Sequence, residues 1–125
     1  MLLVVSLWDV NKVPELSRWL EDDAPLREGE TDGTGVGSLR DLTNPEDHHW
    51  GGWKNPECNV FGAALNHADL DAVIQRVADI HWKHPEAIQL LLMDQEESYF
   101  RLWMLREGQM RQYSPPASGA DDGAY

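Results

Sequence analysis

Asp94, Glu96 and Glu97 place three carboxylates within four positions, between two apolar runs. Paired carboxylates do acid/base work only where burial or a close partner drives their pKa values apart. At a hairpin tip they stay solvated, and their expected role is contact with a cationic partner. The histidines invite a metal reading. His48 and His49 are adjacent and cannot share one ion unless the loop bends, while His81 and His84, three apart at a helix end, lack a spaced acidic third ligand. No metal and no cofactor is therefore expected. Residues 48–54 read His-His-Trp-Gly-Gly-Trp-Lys, the most unusual local composition in the chain. Its glycines lack the strand and Lys-Ser/Thr pair of a phosphate cradle. His49, Trp50 and Trp53 fit either an aromatic contact surface or a plug over an uncovered sheet face. Ser6, Ser17 and Ser98 have no nucleophile-elbow context, so the chain is read as a binding protein and not as an enzyme.

The charge balance points the same way. Twenty-two acidic residues stand against ten basic ones, a formal charge of −12 on 125 residues, yet apolar content is 42% with six tryptophans. That is a folded composition and not a disordered acidic one. Such a surface repels nucleic acid and anionic membrane and attracts a basic protein at long range. Cys58 is the lone cysteine, which excludes an internal disulfide and suits a cytoplasmic setting; it is expected to pack as a small hydrophobe. No run reaches the roughly 18 apolar residues of a membrane span.

These residues need elements to hold them. Residues 1–8 are apolar on both faces, as a central strand requires, and the run ends at Asp9. Val13, Leu16 and Leu20 predict a helix over residues 11–20, with Pro14 in its first turn. Residues 21–37 alternate acids with glycines and are expected to be a solvated loop, with a short edge strand at 35–39. Residues 43–56 form a long loop, and a strand resumes over 59–65. Leu70, Val73, Ile74, Val77 and Ile80 make the clearest helical stripe, with Asn66 or Asp69 as cap and Pro85 beyond its end. Residues 88–93 and 99–105 read as strands joined by an acidic turn, and Glu107-Gly108 turns the chain into a last strand over 109–113.

The expected fold is therefore α+β: a ferredoxin-like open antiparallel sheet, two helices on one face, and a C-terminal hairpin extension. Residues 1–113 form one domain, and residues 114–125 a flexible acidic tail. Leu91, Met93, Tyr99, Arg101 and Trp103 are expected on the uncovered face, which needs a loop, a second copy of the chain or a partner over it. A pocket there, lined by Met93, Tyr99 and Trp103, is the alternative reading: a small-ligand protein or enzyme like the dimeric α+β barrels.

Asn66-His67 before the second helix, Asp94-x-Glu96 in the hairpin turn and Gly108 after the long strand fall in an order that resembles the small α+β immunity proteins of bacterial polymorphic-toxin systems. The resemblance covers roughly the C-terminal half. It implies a non-enzymatic protein that binds and neutralises a cognate toxin domain. On that reading Asp94, Glu96 and Glu97 engage lysines and arginines of the toxin, and Trp50 or Trp53 anchors the contact.

Overall fold

The computed structural model describes residues 1–29, 33–43, 56–94 and 96–113. Strand β1, Leu2–Ser6, alternates as a strand with one core face must: Leu3 and Val5 are buried and Leu2 and Val4 half-buried. It stops earlier than the apolar run to Trp8, because Leu7–Lys12 wind into a 3₁₀ turn that carries Asp9 inside. Helix α1, Val13–Asp22, follows with Pro14 in its first turn, and buries Val13, Leu16 and Leu20.

The segment after α1 departs from the expected solvated loop. Ala24 and Val36 are core residues, and isolated bridges tie Pro25 to Thr34 and Leu26 to Ala68. The return passes so near the end of α1 that a side chain at Gly35 would lie 2.0 Å from the Glu21 carbonyl oxygen, and φ there is +94°. Only glycine fits. The edge strand lies at β2, Arg40–Asp41, and not at 35–39. Thr43 extends its pairing with β3, Cys58–Gly62, by accepting the Val60 N–H on Oγ1 at 2.7 Å. Cys58 is half-buried in that strand.

Helix α2, Leu70–Asp79, is capped by Asp69, whose carboxylate accepts the Ala72 N–H at 3.2 Å. It ends before His81, so His81 and His84 lie in the following loop and not on a helix end. Strands β4, Gln89–Leu92, β5, Arg101–Arg106, and β6, Gln109–Tyr113, complete the chain. Glu107 (φ 54°) and Gly108 (φ 79°) make the β5–β6 turn with both residues left-handed, the geometry that follows strand twist.

All pairings are antiparallel, in the order β2-β3-β1-β4-β5-β6. The described residues thus form an α+β structure with a six-stranded open antiparallel sheet and two helices. Helix α1 joins β1 to β2 across the position of β3, and α2 joins β3 to β4 across β1. One buried cluster unites Leu16 and Leu20 of α1, Val73 and Val77 of α2, and Leu3, Val5, Phe61, Leu90 and Leu92 of the sheet.

Register corrects the expected division of β5. Leu90 pairs with Trp103 and Leu91 with Leu102. Trp103 and Arg101 therefore project on the side of Leu90 and Leu92, and Trp103 packs against the core cluster. Leu102 and Met104 share the other face with Leu2, Val4, Val60 and Leu91, all half-buried. Tyr99 precedes β5 and is 54% exposed. Of the residues expected to line a pocket on the open face, Trp103 thus projects to the opposite side of the sheet, where it lines a cleft together with Met93. Among the described strand residues, the charged ones on the face of Leu102 and Met104 are Arg40, Arg106 and Arg111, and none is a carboxylate.

Candidate binding cleft

At the end of the sheet where β4 leaves and β5 enters, a cleft of about 500 Å³ opens against the first turns of α2. Its apolar floor comes from Leu70, Ile74, Leu92 and Trp103. The back wall is main chain: Arg27 N–H donates to the His67 carbonyl at 2.8 Å, and Asp69 N–H to the Pro25 carbonyl at 3.1 Å. His67 turns there with φ 53°, a left-handed conformation that histidine tolerates better than most residues. Glu28, Asp69, Asp71, Asp94 and Glu97 bring five carboxylates to the lining, against Arg27 and Arg101.

The three carboxylates singled out in the sequence have different surroundings. Asp94 lines the cleft, and its Oδ1 accepts the Glu96 N–H at 3.0 Å, which shapes the turn. Glu96 is exposed on the turn and outside the lining. Glu97 lines the cleft but already has an internal cation: Arg101 Nε donates to both of its oxygens at 2.9 and 3.2 Å, Arg101 Nη2 to one of them, and Tyr99 O–H adds a bond at 2.9 Å. Hydrogen bonds from Arg101 and then Tyr99 hold the Glu97 carboxyl down to about 2, and the same pair raises the Arg101 pKa. The Arg101 guanidinium also lies 5.4 Å from the Tyr99 ring centre. Glu97 is therefore a strut of the cleft wall. His49, Trp50 and Trp53 lie outside the described residues.

A second carboxylate site stands at the opposite end of the sheet. Asp9 is fully buried, at 0% exposure. Burial alone would raise its pKa, but the Lys83 and His84 N–H groups at 2.7 and 2.9 Å, Ser6 Oγ at 3.1 Å and Lys12 outweigh it and leave the pKa lowered. The neighbouring Trp8 is 64% exposed and stands edge-on to the His84 ring, 6.0 Å between centres. His84 meets Glu86 at 3.2 Å.

Sequence reasoning missed Glu28, Arg27 and Asp71 as cleft residues and Asp9 as a buried anchor. Asp71 was within reach, since it sits two positions after a cap candidate and so must fall in the first helical turn. Asp9 was not, because its N–H donors lie 74 and 75 residues away. Among the described residues no group of three His, Cys, Asp or Glu side chains could hold a metal ion, and no helix is long and apolar enough to cross a membrane. No protein-family model, curated protein or solved structure matches the chain.

Proposed function

We propose that this chain is an acidic inhibitor of the immunity type: a non-enzymatic, cytoplasmic bacterial protein that binds a basic toxin domain and blocks its working surface. The observation that carries the reading is the cleft end, where five carboxylates meet only two arginines around an apolar concavity. Asp94 and Glu96 face the partner, Glu97 and Arg101 keep the wall in shape, and His49, Trp50 and Trp53 add anchor area from residues 44–55. Inhibition is by steric and electrostatic occlusion, with steering by the negative surface. The fold belonging to this reading is ferredoxin-like, both helices over one face and β5–β6 as the added hairpin; the strand order and the single buried cluster support it.

Co-expression tests the proposal. The product of the adjoining gene should arrest growth when expressed alone, should be tolerated when this chain is made with it, and should co-purify with it in a stoichiometric complex. A neighbour that is harmless alone and does not bind would overturn the reading.

A further inference from the structure

We infer that the cleft receives a single guanidinium or ammonium side chain, its methylene stem against Trp103 and its charge between Asp71 and Asp94. The inference rests on the reading above that the partner is basic, and it names the group that the cleft selects.

The volume, about 500 Å³, falls within the roughly 300–1,000 Å³ of small-molecule clefts and leaves room for one such side chain. Three of the five carboxylates carry an internal hydrogen bond: Asp69 from the Ala72 N–H as helix cap, Asp94 from the Glu96 N–H through Oδ1 alone, and Glu97 from Arg101, the one of the three that is paired with a cation. Glu28, Asp71 and the second oxygen of Asp94 lie outside those bonds, and the three residues line the same space as Arg27. The remaining field is negative. A helix N-terminus ordinarily draws an anion, but that of α2 carries Asp69 as its cap and Asp71 in its first turn, so a cation is favoured at the mouth. Ile74, Leu92 and Trp103 suit the aliphatic stem of lysine or arginine, and an indole face attracts the charged head. The chain itself uses this chemistry between its helices, where the Arg76 guanidinium lies 5.5 Å from the Trp19 ring centre.

The test titrates Nα-acetyl-arginine amide and its neutral isostere, Nα-acetyl-citrulline amide, into the full chain. The readout is the NMR signal of the Trp103 indole N–H, assigned with Trp103→Phe. Arginine amide should shift that signal saturably, more weakly as salt rises, and citrulline amide should not. Asp71→Asn with Asp94→Asn should weaken binding about tenfold, as expected for loss of charge-assisted contacts. Should the double variant lose its native spectrum, Glu28→Gln, away from the helix, should weaken binding in the same direction. An equal response to citrulline amide, no saturable shift, or binding indifferent to these substitutions would overturn the inference. A partner protein that binds the double variant as tightly as the parent would sink the inference and leave the inhibitor reading standing. Arginine binding in a chain that neutralises no neighbour would do the reverse.

Discussion

Asp9 and Glu97 are both carboxylates held below their ordinary pKa, at opposite ends of the same sheet, and they reach that state by different means. Asp9 is buried and draws its two main-chain N–H donors from the loop after α2, more than seventy residues away. Glu97 is partly open to solvent and takes its cation from Arg101, four positions along. A long-range buried bond set closes the structure on itself and leaves nothing to offer a ligand. A short-range exposed pair shapes a wall and leaves the space beside it open. The first end is a lock, and the second is a surface.

Breaking the lock should have the largest effect. Asp9→Ala strands the Lys83 and His84 N–H groups against the core, at a cost of about 2–4 kcal/mol in urea unfolding. Asp9→Asn keeps one acceptor and should recover part of that loss. The same contrast governs acid stability. Both folded pKa values lie below the unfolded ones, so both contributions are present above the ordinary carboxylate range and fade as pH falls through the folded values. For Glu97 that window runs from 4.5 down to about 2. Asp9→Asn and Glu97→Gln should therefore each flatten the acid limb of the stability curve, and high salt should erase the Glu97 part only, because exposed pairs are screened. Equal salt effects at the two sites would break the comparison.

Smallest in stability should be Glu97→Gln at neutral pH, with a melting temperature close to that of the parent. Its effect should appear instead in the cleft wall, as new NMR shifts for Arg101 and Trp103 while Leu3 and Leu90 stay fixed. A large drop in melting temperature would make Glu97 part of the lock.

How much of this was legible depended on whether local pattern determines the outcome. The stripe of Val73 and Val77 marked the α2 core face correctly, because helical period alone fixes which side is apolar. Tyr99 to Leu105 carries apolar residues at both parities, so the sequence offered no means of choosing between Leu102 and Trp103; pairing with β4 decided it. The hairpin acids were visible as a cluster, but not that Arg101 would take Glu97 and that Asp94 would share a cleft lining with Asp71. That distinction is tertiary, set by where the first turn of α2 comes to rest.

The proposed partner contact lies at the cleft end and not on the sheet face that carries Leu102 and Met104. The direct measurement is the association rate with the product of the adjoining gene at low and high salt, for the parent, for Asp71→Asn/Asp94→Asn/Glu96→Gln, and for Leu102→Ser on the sheet face of Met104. The parent rate should fall steeply with salt, the triple variant should associate more slowly and with a flatter salt dependence, and the Leu102→Ser chain should match the parent. A triple variant that associates like the parent, with Leu102→Ser impaired, would place the partner on the opposite side of the sheet and contradict the account.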